Sequence, residues 1–500
     1  MKKILIIIVF AVATGSISSC KKFLDINQDP DRLGAENAGV ALPQLLTSVT
    51  ANVGFTGGSD LQRYAALIMQ QYSGQSTGPQ NQTQDYEKYL ITGSDVNNLF
   101  ASLFATTLSD IEVIIQKAGE QNAPHYSGVA KILKAFTYQI AVDAFGDLPY
   151  SEAQKLVGNL APKYDDDAAI YKNLITVINE GISEINQTSS TLSPGANSLI
   201  YPGSFSTTKT NWIKFANTLK LRIFLHYSKI DKPFLVSQMS ALVTSGTFMT
   251  SVADNFEMKF INEANRRNPI NQFEIFRGNY LFANAYLVDL MNARTDPRRA
   301  TYFTEFPGGS GKYKGAKSGD APSQLFSRLH TYLRGATTNA PTPRPDGSFN
   351  EDAFTYTGDA PIRMLTFAEY NFIRAEAALY GVAGDAQTFF QAGIRASMIM
   401  AGVSTAMADA YILANGTLTG TNNQKLDRII TEKYVASYGV IMEHWTDWRR
   451  TGIPPITRVP NAVISDIPRS LFLPQSEIDL NPNAPKQKSS MLERVFWDTP

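Results

Sequence analysis

Residues 125–150, HYSGVAKILKAFTYQIAVDAFGDLPY, set the tightest limit on what this chain can fold into. Val129, Ile132, Leu133, Phe136, Ile140 and Ala144 recur at helical spacing. Gly146 then supplies a stop, and Pro149 prevents continuation. A second stripe runs through TKTNWIKFANTLKLRIFLHYS, with Trp212, Phe215, Ala216, Leu219 and Ile223 on one face. Its C-terminal half is apolar nearly all round, which predicts deep burial. A third, RMLTFAEYNFIRAEAALYG, places Leu365, Ala368, Phe372, Ala375 and Leu379 in register and ends at Gly381. Weaker helical patterns cover 97–118, 167–186, 281–293, 385–400 and 424–448. Strand-like alternation is weak throughout, so only a few short hairpins are expected. The reading is all-α, with helix pairs joined by turns in a helical-repeat architecture, although no consensus repeats at the 34-residue period of TPR units.

Composition narrows the function classes. Hydrophobic residues make up 43% of the chain and charged residues 18%, the balance of a globular protein. The 45 basic and 45 acidic residues cancel, leaving no electrostatic footprint for nucleic acid. The one cysteine, Cys20, permits no internal disulfide, so stability rests on core burial, which a chain this long can supply. Its setting is distinctive. Lys2 and Lys3 precede an apolar run from Ile4 to Ala13, too short to span a bilayer and of the length of a signal-peptide core. Ile17-Ser18-Ser19-Cys20 then resembles a bacterial lipobox, in which cleavage leaves an acylated N-terminal cysteine. An ordinary secretory signal that happens to contain a cysteine is the alternative. No second apolar run is read as membrane-spanning.

Long polar stretches at 73–95, 187–208, 306–322 and 334–360 separate the helices, and loops of that length are usually functional or disordered. Several carry aromatics: Tyr86, Tyr89, Tyr313, Phe354 and Tyr356. Three aspartates, Asp165 to Asp167, suit a helix N-terminus better than a calcium loop. The segment GGSGKYKG at 308–315 fails as a phosphate loop, because Phe306 stands where the first glycine belongs and Tyr313 follows Lys312. The four histidines are scattered, no nucleophile elbow is present, and nothing marks one acidic pair for glycoside hydrolysis. In MEHWTDWRRTGIPP, Trp445 and Trp448 read either as a sugar-stacking platform or as packing at a helix end. There Arg449 and Arg450 complement the dipole, and Gly452 caps. The second reading is preferred. The tail from Gly452 onward is proline-rich and reads as extended.

Several segments together resemble the SusD/RagB family of Bacteroidetes outer-membrane lipoproteins. CKKFLDINQDPD is similar to the family's opening. KILKAFTYQIAVDAFGDLPYSEA is similar to its helix running into Gly-Asp-x-Pro-Tyr. NWIKFANTLKLRI, ARTDPRRATYF, LTFAEYNFIRAEAALYG, EHWTDWRRTGIP and LFLPQSEIDLNPNA match further stations in order. The resemblance implies a TPR-like scaffold of about four helix pairs with an irregular, loop-rich ligand lobe. It places a lipoprotein signal at 1–19 and one composite unit at 20–500. Scaffold helices fall mainly within 97–230 and 364–448, and the irregular lobe mainly within 231–363 and 449–500. It implies a surface-facing lipoprotein that captures oligosaccharide, or peptide in RagB-like members, and delivers it to a SusC-like TonB-dependent transporter. It also implies scaffold roles for Gly146, Asp147, Pro149, Tyr150, Glu369, Glu376, Trp448 and Arg449. No cofactor and no enzymatic activity are implied, a surface hydrolase being the lesser alternative.

Ligand residues vary across such a family and do not transfer by motif. Physical reasoning selects aromatic rings beside polar groups. The first candidate set is Gln71, Tyr72, Tyr86 and Tyr89, with Gln80, Asn81 and Gln82 as amide partners. The second is Asn265, Arg266, Tyr280 and Tyr313. Because Tyr86 and Tyr89 fall in a polar stretch, their removal is expected to spare stability and to weaken binding. Trp212 is expected to be a core ring.

Overall fold

The computed structural model describes residues 41–500 apart from 76–81, 156–157, 279, 322, 324 and 349–353. Cys20, the signal-like segment, Gln80 and Asn81 lie outside the described residues.

Successive helix pairs build the scaffold. Helix α1 (Leu42–Thr56) continues through a π-helical turn at Gly57–Leu61 into α2 (Gln62–Ile68), and α1 packs on α3 (Ser109–Glu120). The strongest sequence stripe becomes α4 (Pro124–Phe145), which pairs with α5 (Asp167–Ile185); α6 (Phe205–Leu225) pairs with α7 (Lys232–Ser245). After the short α8 (Pro269–Phe276), α9 (Phe367–Leu379) pairs with α10 (Ala386–Met400). Helices α11 (Thr405–Asn415), α12 (Asn422–Ala436) and α13 (Glu443–Thr451) follow. Short connections make neighbouring helices antiparallel, and the result is the expected all-α, TPR-like architecture.

Close approach explains the tightest pair. A Cβ on Gly128 would stand 2.6 Å from the Gly181 carbonyl oxygen, and one on Gly181 would stand 2.8 Å from that of Gly128. Only glycine at both positions lets α4 and α5 meet backbone to backbone. Two of the three aspartates begin α5: the Asp166 carboxylate accepts from Ala169 N, satisfying an otherwise orphaned amide, while Asp165 lies in a short strand and accepts from Tyr150 N and Ser151 N.

The core is aromatic around α6. Trp212 is fully buried and meets Tyr201 edge-on at 5.0 Å, while Phe215 stacks on Phe256 at 3.6 Å. A buried ionic joint ties the later helices together. Arg222 donates to both oxygens of Glu369 at 2.7 Å and to the Met364 carbonyl at 2.8 Å. Arg450 donates to Glu376 at 2.8 Å and Asp447 at 2.9 Å, and Lys433 pairs with Asp447 at 2.8 Å. Burial alone would raise the Glu443 carboxyl, but Arg222 and Lys433 beside it hold it well below the usual carboxylate range. Trp445 and Trp448 are buried, with Arg449 over Trp445 at 4.1 Å and Arg469 over Trp448 at 4.3 Å. They offer no sugar platform; the helix-end reading holds, with Gly452 left-handed at φ 72°.

The structure corrects several expectations. Helices α1, α2, α7, α8 and α11 are absent from the sequence reading. The helix Asn97–Glu120 is long and apolar enough to cross a membrane by length and composition, although no second such run was expected. It buries Leu103, Leu108, Ile111 and Ile114 against the scaffold. Two of the small sheets are not hairpins. Tyr72–Gly74 pairs antiparallel with Leu281–Ala283, and Phe256–Met258 with Ile362–Leu365. The tail is irregular but not loose: Leu471 N donates to the Ala144 carbonyl at 2.7 Å, and Trp497 Nε1 donates to Asp143 at 2.9 Å.

Candidate functional site

The long-range strand pair Tyr72–Gly74 with Leu281–Ala283 brings the π-helical turn after α1 against α8. Between them lies a pocket of 270 Å³, just below the roughly 300–1,000 Å³ of small-molecule sites. One wall is Phe55, Gly58, Ser59, Gln62 and Arg63; the other is Ile270, Gln272, Phe273, Phe276 and Arg277, with Tyr72 and Leu281 beneath. π-Helical turns are rare and concentrate at functional sites. Here the turn depends on Gly58, whose Cβ would collide with the Ile362 side chain at 2.5 Å.

The pocket combines apolar surface with aligned polar groups. Phe55 is 43% exposed and Phe276 78%, so the rim presents large hydrophobic groups to solvent. Such clusters mark interaction sites more often than scattered residues do. Arg63 lies over the Phe273 ring at 4.5 Å and Arg277 over it at 5.5 Å. At the floor Gln62 Nε2 donates to the Tyr72 hydroxyl at 2.8 Å, and burial pushes the Tyr72 pKa well up, so it stays a neutral phenol. An aromatic rim with guanidinium and amide donors can grip a sugar ring by its C–H face and its hydroxyls. A larger depression of 470 Å³, lined by Thr419, Gly420, Asn423, Gln424, Asp427 and Arg428, has no aromatic wall to do this.

Of the residues singled out by sequence, Tyr72 and Tyr280 come to this place. Tyr72 lines the pocket, and Tyr280 meets Phe273 edge-on at 6.2 Å. The others disperse. Gln71 is buried and donates to the Tyr434 carbonyl at 3.0 Å. Tyr86 lies on the short helix Gln82–Glu87, 2% exposed, bonded to Asp95 at 2.9 Å and edge-on to Tyr64 at 4.9 Å. Tyr89 is 1% exposed, accepts from Val459 N at 3.3 Å, and burial pushes its hydroxyl up to about 12. The expectation that these two tyrosines sit free in a polar loop is therefore corrected: they are core rings. Gln82, exposed, donates to the Tyr86 hydroxyl. Asn265 occupies an exposed left-handed turn at φ 62°, and Arg266 pairs with Glu263 at 2.9 Å in solvent. Tyr313 lies under Arg299 at 5.3 Å. Phe354 and Tyr356 stack on each other at 5.4 Å, with the Tyr356 hydroxyl on His330.

Sequence reasoning missed Phe55, Gln62, Arg63, Phe273, Phe276 and Arg277. A signal exists in QFEIFRG, 272–278, where aromatics at i and i+3 are followed by Arg-Gly without a continuing apolar stripe. The counterpart in α1 has no such signature.

Acidic groups elsewhere are engaged in structure. Asp147, Asp166 and Asp167 bring carboxylate oxygens within 4.8 Å of one another. Asp147 and Asp167 accept backbone amides from Asp167 and Phe496, and Asp166 caps α5.

Comparison with known proteins agrees with this fold. A SusD-like family model, described as "Starch-binding associating with outer membrane", matches residues 36–470. No curated protein matches. Among solved structures, a chitin-binding protein is similar at 23% identity with a TM-score of 0.73, covering 92% of this chain and 100% of its own. A SusD homolog from Bacteroides fragilis is 22% identical with a TM-score of 0.71, covering 88% and 94%. A chitin-binding SusD homolog from Flavobacterium johnsoniae is 21% identical with a TM-score of 0.72, covering 91% and 98%. With the family model spanning most of its length, the chain belongs to the SusD-like family.

Proposed function

We propose that this protein binds oligosaccharide at the outer membrane in the pocket between α8 and the π-helical turn, and passes it to a partner SusC-like TonB-dependent transporter. The observation that carries the binding reading is the exposed rim of Phe55 and Phe276 over a polar floor of Gln62 and Tyr72. The family description names starch, and two relatives of the same fold are named for chitin. Both are hexose polymers whose ring faces stack on aromatics. Binding rather than hydrolysis is favoured because the pocket lining contains no aspartate or glutamate to act as acid or base.

Calorimetric titration of the purified protein with malto- and chito-oligosaccharides tests the site. Wild type is expected to bind at least one series, and Phe276→Ala to weaken that binding about tenfold. Equal affinity in the variant moves the site elsewhere, with Tyr313 the next choice. Retention of peptides in place of sugars replaces the glycan reading with the RagB-like one. Anchoring through Cys20 is supported by the lipobox-like tripeptide. It is tested by labelled fatty acid on wild type and Cys20→Ala, where equal label on both contradicts it. The transporter partnership rests on family membership. Mild-detergent purification is expected to bring down a large β-barrel, and recovery of this protein alone in several detergents contradicts it.

A further inference from the structure

The charge around the pocket is one-sided. Its lining holds two arginines and no carboxylate. The acids near it are committed elsewhere. Asp60 on the π-helical turn pairs with Arg63 on α2. Glu274, also on α8, is buried against Arg328 at 3.5 Å and Arg334 at 3.8 Å. Glu263 pairs with Arg266 in solvent. Arg277 is different: it is exposed, and among the described residues no carboxylate partners it. Its neighbours are the Phe273 ring at 5.5 Å and the exposed Phe276. The Nε of Arg63, buried beside the same ring, is also without an acceptor. The mouth of the pocket thus carries a net positive charge next to its most exposed aromatic ring.

We infer that the pocket selects acidic glycans, with a ring stacked on Phe276 and its carboxylate received by Arg277. The inference rests on the oligosaccharide reading above and narrows it. A guanidinium presents two parallel N–H donors that match a carboxylate, and a charge-assisted bond of this kind is about twice as strong as a neutral one. A neutral hexose would leave Arg277 with only hydroxyl partners. The aromatic ring keeps the site selective for a sugar face over a free anion.

The test titrates the purified protein with oligouronates from pectin and from alginate, each beside its carboxyl-reduced form, and with neutral malto- and chito-oligosaccharides. A uronate is expected to bind about tenfold more tightly than its reduced form. Arg277→Gln should remove that difference while keeping the wild-type melting temperature, because the side chain is exposed. Raising the ionic strength from about 0.01 M to about 1 M shortens the screening length from about 30 Å to about 3 Å, and should weaken the uronate alone. Neutral or reduced sugars that bind as tightly as uronates, with binding lost in Phe276→Ala, overturn the acid preference and leave the glycan site standing. Uronate preference unchanged in Arg277→Gln also overturns it. Failure of every acidic and neutral sugar to bind overturns the glycan reading and this inference with it.

Discussion

Two regions of this molecule use the same residue types for opposite ends. At the joint of α6, α9, α12 and α13, two fully buried arginines meet carboxylates: Arg222 with Glu369, Arg450 with Glu376 and Asp447. Tryptophan and arginine stack there too, Arg449 lying over both Trp445 and Trp497. At the pocket, Arg277 and Phe276 stand in solvent, and the described lining holds no acid. The first arrangement is closed: these ion pairs are matched within the chain, and the energy holds helices together. The second is open, and its unmatched surface can be matched only by something else. Residue identity says little about which is which; burial and partners decide.

Breaking the closed region has the largest expected effect. Arg450→Ala strands Glu376 and Asp447 in the core, and loss of one member of a buried pair costs about 3–5 kcal/mol. Denaturant unfolding measures it. Replacing Arg450 and Glu376 together by apolar residues of similar volume should recover most of that loss, which separates stranded charge from lost packing. Trp212→Ala should cost a similar 3–5 kcal/mol through its cavity.

Next come Tyr86 and Tyr89. Each is a buried ring with a bonded hydroxyl, so Tyr86→Ala and Tyr89→Ala should each lower stability by about 3 kcal/mol. A variant that melts like wild type would place these rings in the open class.

A pH experiment sharpens the comparison within the closed class. Glu87 lacks the arginine partner that Glu369 and Glu376 have. It accepts from Ser73 Oγ at 2.7 Å and from Gly319 N, and burial lifts its carboxyl to about 7 from 4.5. An acid whose folded pKa is raised contributes its full stability below the unfolded pKa, and loses it as pH climbs through the folded one. Stability from Glu87 should therefore decline between about pH 4.5 and about pH 7. Glu87→Gln should flatten the unfolding free energy over that window relative to wild type. Parallel curves for the two proteins contradict the shifted carboxyl.

The smallest stability effect belongs to the rim. Phe276→Ala should alter unfolding by no more than about 0.5 kcal/mol, the range of surface changes, while affecting ligand affinity.

The same contrast explains what could be read from sequence. The strongest helices, α4, α6 and α9, were legible because a buried face imposes helical periodicity on consecutive residues. Helix α7 escaped because little of it is buried, chiefly Leu235, Met239 and Leu242. Helix α2 is short, Gln62–Ile68, and the π-helical turn before it breaks its register with α1; the stripe of Leu42, Leu45, Leu46, Val49 and Val53 in α1 was legible and was overlooked. Glu369 and Glu376 were legible as scaffold only through the family resemblance, whereas Trp448 and Arg449 were also legible from the helix-end pattern of MEHWTDWRRTGIPP. The pocket was barely legible. Its walls come from residues 55–72 and 269–281, joined by a strand pair whose partners lie some two hundred residues apart. Tyr72 and Tyr280 were found by residue type. Tyr86 and Tyr89 were misread because polar composition along a segment does not report where its aromatic rings turn.

The central claim is that the open region between α8 and the π-helical turn is the ligand site and the closed joint is not. Paired melting and titration of Phe276→Ala test it most directly, using whichever malto-, chito- or uronate oligosaccharide wild type binds best. The expected result is an unchanged melting temperature with affinity reduced about tenfold, ~1.4 kcal/mol. A variant that melts as wild type does and binds with wild-type affinity would contradict it.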